Sequence, residues 1–221
     1  APVPEGFDYD MWLGPAPVKP YTTDRCKPNG TYWIYDQSIG YLGGWGAHPL
    51  DIMVWGSDAD LSGPITVEGT GDVPTEGLYD CVFNWDMKIK LGEVDFVFRP
   101  GSDRTKFIGD NGWIQVRRGG DQTTASDPAL LQTALDPAEN RLILSKHHMG
   151  NFIEAVAKGD PKATVTSVRH SVRSDIISHL CDIAVRADEK ITWDPIKQEL
   201  VGGSEKARAM LTRPMRAPWT L

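Results

Sequence analysis

Val82-Phe83-Asn84-Trp85-Asp86-Met87-Lys88-Ile89-Lys90-Leu91-Gly92-Glu93-Val94-Asp95-Phe96-Val97-Phe98-Arg99 alternates apolar and polar side chains with hardly a break. A strand turns successive side chains to opposite faces, so a period of two reads as strand rather than helix. Phe83, Trp85, Met87 and Ile89 fall on one face, and Asn84, Asp86, Lys88 and Lys90 on the other. Leu91-Gly92 makes a tight turn, after which Val94, Phe96 and Phe98 alternate with Glu93, Asp95 and Arg99. One apolar face and one polar face describe an antiparallel sheet covered on one side only.

Further strands are expected on both sides, at 64–69, 106–108 and 113–116. Asp110-Asn111-Gly112 joins the last two, and Asn-Gly between apolar runs is a strong hairpin signal. Beyond them the period changes. Met149, Phe152, Ile153 and Val156 predict a helix over 146–158, ended by Gly159-Asp160-Pro161. Val172, Ile176, Leu180, Ile183 and Ala184 predict another over 168–187, with Cys181 on its apolar face as plain core. Ile191-Thr192-Trp193 reads as a short strand. Ser204 is a natural N-cap for a short helix to Leu211. On the N-terminal side, Leu50, Met53 and Val54 predict a helix over 42–55, with Pro49 in its first turn. Residues 1–39 sustain neither period. They allow one short helical turn at Phe7–Leu13, ended by Gly14-Pro15-Ala16-Pro17. Strands grouped together with helices grouped around them describe an α+β fold. The chain divides into a proline- and aromatic-rich segment at 1–39, a substrate loop or arm, and an α+β domain at 40–221.

The totals exclude several classes. A chain of 221 residues with 40% hydrophobic and 24% charged residues has a globular composition. A net charge of −7 with no basic cluster argues against nucleic acid as a partner. No apolar stretch approaches the roughly 18 residues of a membrane span. Three scattered cysteines, Cys26, Cys81 and Cys181, lack the spacing of a disulfide framework or a structural zinc site. His147 and His148 are adjacent, supply one metal ligand at most, and fit a solvated or capping role better. Eight tryptophans offer flat, hydrogen-bonding surface for a ligand, an oligomer interface or an aromatic core. The start, Ala1-Pro2-Val3-Pro4-Glu5-Gly6, has neither a basic nor an apolar region of a signal peptide and reads as the interior of a longer or processed chain.

Residues 40–56 carry the chemistry: Gly-Tyr-Leu-Gly-Gly-Trp-Gly-Ala-His-Pro-Leu-Asp-Ile-Met-Val-Trp-Gly. His48 and Asp51 lie three apart, a spacing that shares a helix face, and position 44 would share it too. An imidazole beside a carboxylate, approached through glycine backbone, suits proton transfer on a small polar molecule. The bland alternative is a buried histidine at a helix start. No Gly-x-Gly-x-x-Gly opens a helix after a strand, so this chain carries no dinucleotide fingerprint. A phosphate-binding P-loop, a Gly-x-Ser-x-Gly elbow and His-Glu-x-x-His are equally absent.

The segment Gly43 to Asp51 resembles the Asp-x-Gly-x-His-x-x-Asp motif of the Gfo/Idh/MocA oxidoreductases. Trp12-Leu13-Gly14-Pro15-Ala16-Pro17, Gly109-Asp110-Asn111-Gly112-Trp113-Ile114, His148-Met149-Gly150-Asn151-Phe152, His179-Leu180-Cys181-Asp182-Ile183-Ala184, Trp193-Asp194-Pro195 and Arg216-Ala217-Pro218-Trp219 are similar to a bacterial branch of that family, in order and spacing. The resemblance implies the C-terminal, substrate-side domain of a two-domain enzyme: an open, mainly antiparallel sheet with helices packed on one face. It implies an N-terminal Rossmann domain, absent from this chain, that binds NAD or NADP, so that this chain alone is inactive. It implies hydride transfer on a sugar, inositol or related polyol, a homo-oligomer through the open sheet face, and a bacterial cytoplasmic or periplasmic setting. His48 matches the catalytic acid/base, and Asp51 the second acidic position, which orients substrate or histidine. The first aspartate of the motif is Gly44 here, and Asp36 or Asp8 is the acid available to replace it. Tyr21, Arg25 and Trp33 would grip hydroxyls and a ring face. Two other readings stand beside this one: a non-redox carbohydrate-binding or carbohydrate-processing module, and an oligomerisation domain.

Overall fold

In the computed structural model, residues 1–57, 59, 62–117, 123–134 and 143–220 are described. They form two compact units. The first comprises Ala1–His48, Ala59–Gly101 and Asp175–Leu221, and the second Pro49–Asp58 and Ser102–Ser174.

The first unit is built on a five-stranded antiparallel sheet, in the order β3-β2-β1-β7-β8. Its strands are β1 (Ile65–Asp72), β2 (Asn84–Leu91), β3 (Val94–Phe98), β7 (Ile191–Asp194) and β8 (Glu199–Leu200). The alternation in β2 is complete: Trp85, Met87, Ile89 and Leu91 are buried, while Asn84, Asp86, Lys88 and Lys90 are exposed. Leu91 pairs with Val94 across the expected tight turn. Phe83 lies ahead of the strand and is 54% exposed, so it leaves the apolar face on which its spacing placed it.

Helix α6 (Val168–Ala187) covers the buried face with Ile177, Leu180, Cys181, Ile183 and Ala184. A Cβ on Gly71 of β1 would come within 3.0 Å of Val185, which measures how closely helix and strand approach. Cys181 is core, as expected, and burial pushes its thiol far up. The buried stripe is shifted from the predicted one: Val172 is exposed and Ile177 takes the inward position. Short α7 (Glu205–Ala209) starts at Ser204, whose hydroxyl accepts from the Ala207 amide at 3.1 Å.

The N-terminal segment is more structured than its lack of periodicity suggests. It forms α1 (Tyr9–Leu13), α2 (Thr23–Cys26) and a 3-10 turn at Thr31–Trp33. Side chains supply the caps: Asp8 accepts from Met11 and Thr22 from Arg25. Arg216, near the C-terminus, holds this segment by donating to the Asp10 carboxylate and to its carbonyl, both at 2.7 Å.

A buried charge pair ties α6 to the chain around residues 34–38. Asp182 is 2% exposed, and Arg186 Nε donates to both its oxygens at 3.0 Å. Burial pushes the Asp182 carboxyl up from its ordinary range, and Arg186 opposes that shift. Arg186 also donates to the Asp80 carbonyl at 2.8 Å and lies 3.6 Å from the centre of the Tyr35 ring. The Tyr35 amide donates in turn to the Asp80 carboxylate at 2.7 Å.

The expected single helix over 42–55 is two helices, α3 (Gly40–Gly44) and α4 (Ala47–Gly56). The reason lies at Gly46, where a Cβ would overlap the Leu42 carbonyl and approach Phe98 of β3 to 2.7 Å. Only glycine fits so close to both, which lets the chain turn there. Gly44 and His48 therefore belong to different helices and do not share one continuous face.

The second unit contains a separate antiparallel sheet, β4 (Arg104–Gly109), β5 (Gly112–Arg117) and β6 (Thr124–Ala125). The strands read from the sequence thus divide between two sheets. Gly109 pairs with Gly112, so the hairpin loop is Asp110-Asn111 rather than Asn-Gly. Helix α5 (His148–Lys158) begins with His147 as N-cap, its Nδ1 accepting from the Gly150 amide at 2.8 Å. That is the capping role its position suggested. The apolar stripe of α5 is present, yet Met149, Phe152, Ile153 and Val156 are all more than half exposed. Periodicity located the face that favours burial but named no partner for it.

Removing one member of a buried pair strands the other charge, which costs about 3–5 kcal/mol. Asp182→Ala is therefore expected to lose stability of that order in urea unfolding, and Asp182→Ala/Arg186→Met much less than the sum of the two single changes. Additive losses would show that the pair does not act as a unit.

Candidate functional site

His48 is the second residue of α4 and is exposed, so it is not the buried core histidine of the bland alternative. Its ring lies 5.6 Å from that of Trp45, at 80°. Trp45 is followed by Tyr41 at 6.2 Å, Tyr41 by Trp33 at 5.0 Å and by Tyr32 at 5.8 Å, and Tyr32 meets Trp33 edge-on at 5.1 Å. These contacts make an aromatic row in the first unit that ends on an imidazole. Tyr41 and Trp45 are 44% and 42% exposed, so part of the row faces outward.

Local sequence explains the row. Tyr41 and Trp45 are four apart around the C-terminal end of α3, so they stand one above the other. Tyr32 and Trp33 are set on the 3-10 turn opposite. The Trp33 carbonyl accepts from the amides of Asp80 and Cys81, at 3.0 and 3.3 Å, which anchors that turn to the sheet-side loop. The Cys81 thiol, pushed up to about 12 by burial, donates to the Ser38 carbonyl at 3.4 Å. It is a packing group rather than a nucleophile.

Gly44 lies directly against Tyr32. A Cβ there would collide with the Tyr32 hydroxyl and ring. Burial pushes the Tyr32 phenol up, and a hydrogen bond from the Trp45 backbone partly offsets this. The place where a side chain at position 44 would project is filled by a phenol. Asp8, one of the acids considered as a replacement, is used as the cap of α1, and Asp36 is half-buried.

The other residues singled out from the sequence separate into groups. Trp33 belongs to the row. Tyr21 packs instead with Phe7 and Tyr9, at 6.1 and 5.5 Å, and Tyr9 stacks on Trp12 at 5.6 Å. Arg25 is associated with that second aromatic group through Tyr9, whose phenol feels its charge. Asp51 lies in the second unit, where its Oδ1 accepts from the buried Ser174 hydroxyl at 2.8 Å. Tyr32, Tyr41, Trp45 and Ser174 were not singled out from the sequence as site residues. The four-residue spacing of Tyr41 and Trp45 before His48 was the available signal for two of them. Tyr32 stands among the polar-tipped side chains of the 1–39 segment, but its place against Gly44 is decided only by the fold.

Both described sheets are wholly antiparallel, so no strand–helix–parallel strand unit is present among the described residues to cradle a dinucleotide.

Gly44→Ala sets two effects against each other. Helix propensity favours alanine by up to about 1 kcal/mol, while overpacking against a ring costs about 1–3 kcal/mol. The expected net effect is a loss of stability with Tyr32 present and a gain in a Tyr32→Ala background, read from urea midpoints of the single and double variants. The same sign in both backgrounds would reject the close packing of Tyr32 on Gly44.

Residues 1–104 match the family model described as oxidoreductase family, C-terminal alpha/beta domain, of the Gfo/Idh/MocA group. These residues, which hold α1 to α4, β1 to β3 and the whole aromatic row, belong to the C-terminal domain of that oxidoreductase family. None of the curated proteins compared with the chain matches it.

Proposed function

We propose, from the membership of residues 1–104 in that C-terminal domain, that the chain is the substrate side of an NAD(P)-dependent oxidoreductase acting on a sugar, inositol or related polyol. The observation that carries this reading is the exposed imidazole of His48 at the end of a partly exposed aromatic row. A polyol is rich in hydroxyls around an apolar C–H skeleton. Aromatic side chains with polar tips offer it both a flat apolar surface and hydrogen bonds. Trp33, Tyr41 and Trp45 present the surface, and the Tyr32 hydroxyl stands beside them in place of a side chain at Gly44.

Oxidation of a secondary alcohol removes a hydride from carbon and a proton from oxygen. A nicotinamide bound by a Rossmann domain would supply the hydride acceptor. His48 accepts the proton through an unprotonated ring nitrogen, and in the reverse direction returns it to the carbonyl oxygen. Imidazole is the ordinary side chain for proton exchange near neutral pH. Asp51 keeps the orienting role that the motif gives it, with one oxygen fixed by Ser174. The segment 1–39 acts as the substrate arm through Trp33, Tyr21 and Arg25.

A phenol where the motif has a carboxylate favours the second reading, a carbohydrate-binding module without turnover. For the full-length protein, His48→Ala is expected to leave cofactor binding intact and to lower kcat at least 100-fold, the range for loss of a general acid/base. Cofactor titration and steady-state turnover on a panel of polyols check this. Wild-type binding of polyols without any turnover would select the second reading, and an active His48→Ala would remove His48 from the chemistry.

Assembly through the open sheet face belongs to the same proposal. That face carries Asp86 with Arg99 at 3.3 Å, Lys90 with Asp95 at 3.4 Å and Glu68 with Lys190 at 3.8 Å. Contacts between exposed charges are screened by salt. Sizing experiments are expected to show an oligomer at low salt that shifts toward monomer near about 1 M salt. A monomer under both conditions would reject an interface on this face.

A further inference from the structure

Arg25 has a place in the fold that packing alone does not explain. It is 8% exposed, and its Nε is buried with no hydrogen-bond partner. Among the described residues no carboxylate or carbonyl pairs with its guanidinium. Three acids of the same segment are engaged elsewhere: Asp8 caps α1, Asp10 holds Arg216 at 2.7 Å, and Asp24 holds Lys27 at 3.1 Å. A buried cation without an acid is expensive, and proteins that keep one ordinarily give it a counter-charge.

The surroundings describe what that counter-charge is attached to. Phe7, Tyr9, Trp12 and Tyr21 form the adjoining aromatic group, with ring centres 5.5 to 6.4 Å apart. Burial pushes the Tyr9 phenol up while the Arg25 charge pulls it down, which puts the two within electrostatic reach. The Tyr9 hydroxyl is spent on the Lys19 carbonyl at 2.9 Å. Tyr21 is half-buried on the same group and has no such bond among the described residues. A planar guanidinium matches the paired oxygens of a carboxylate or a phosphate. A buried, unpartnered arginine within electrostatic reach of Tyr9 suits a small molecule that carries one anionic oxygen group on a hydroxylated apolar skeleton.

We propose that Arg25 is the anion-binding group of a ligand subsite on residues 7–25, and that it takes the carboxylate or phosphate of an acidic carbohydrate. The identification as a carbohydrate rests on the function proposed above. The demand for an anion rests on Arg25 alone.

The test uses thermal melts and calorimetry on the full chain, with glucuronate, glucose 6-phosphate, inorganic phosphate and neutral glucose as probes at matched ionic strength. Glucuronate or glucose 6-phosphate is expected to raise the wild-type Tm saturably, with no response to glucose. A response to glucose 6-phosphate and phosphate but not glucuronate names the phosphate as the anion, and the converse names the carboxylate. Arg25→Met should lose the response, since it keeps an unbranched apolar stem without the charge. Without any probe it should melt at or above the wild type, because no buried charge is left uncompensated. Arg25→Lys should keep a weakened response.

An equal anion response in Arg25→Met overturns the proposal. So does the absence of a saturable anion response in the wild type. An Arg25→Met chain that melts well below the wild type or does not fold also overturns it, by making Arg25 a group that holds the fold. Turnover of neutral polyols by the full-length protein, lost in His48→Ala and intact in Arg25→Met, would reject this subsite and retain the oxidoreductase reading.

Discussion

Arg186 meets both oxygens of Asp182 at 3.0 Å inside the first unit, and the arrangement around the aromatic row depends on that contact. Neither charge is stable there alone. Burial would neutralise the carboxyl, and an unpaired guanidinium would draw in water or move out. Together they fix one turn of α6, and Arg186 still has a donor for the Asp80 carbonyl and a flat face for Tyr35. Arg213 adds a second guanidinium 4.3 Å from the same ring centre and donates to the Tyr35 carbonyl. Helix, loop and N-terminal segment therefore converge on one charge pair. The amides of Asp80 and Cys81 then hold the Trp33 carbonyl, so the row that ends at His48 is anchored to the same loop.

The departure at Gly44 looks different once its surroundings are known. Read along the chain, it is a missing carboxylate. In space it is a site filled by Tyr32, whose hydroxyl and ring occupy the room a side chain would need. The two residues are complementary: the phenol cannot sit there beside an aspartate, and the bare backbone would leave a void without the phenol. A neutral hydrogen-bonding group has taken the place of a charged one, in surroundings where burial disfavours phenolate. That exchange keeps a polar tip near the row while removing a negative charge from it.

The strands were legible because their signal is local. In β2 every second residue is apolar, and every second residue is buried. Ser204 and His147 were legible for the same reason, since a cap depends on the few residues that follow it. The break between α3 and α4 was not, because the close approach that only glycine allows at Gly46 includes Phe98, some fifty positions away on β3. The division of strands between two sheets was hidden too, since period two fixes a strand's faces and says nothing about its neighbours. Helix α5 marks the limit of periodicity most plainly. Its apolar face forms as predicted and remains exposed.

The three-residue spacing of His48 and Asp51, the α+β class and the membership of the first 104 residues in an oxidoreductase C-terminal domain are properties the sequence determined by itself, because residue identity and short spacing suffice for them. Tertiary structure decided which side chains accompany His48. It brought Trp33, Tyr41 and Trp45 into its row and put Tyr32 against Gly44. It set Tyr21 in a second aromatic group, buried Arg25 within electrostatic reach of Tyr9 and gave Asp51 to Ser174. Those partnerships join residues far apart along the chain. They rest on packing and on the satisfaction of buried polar groups, and neither has a signature in local sequence.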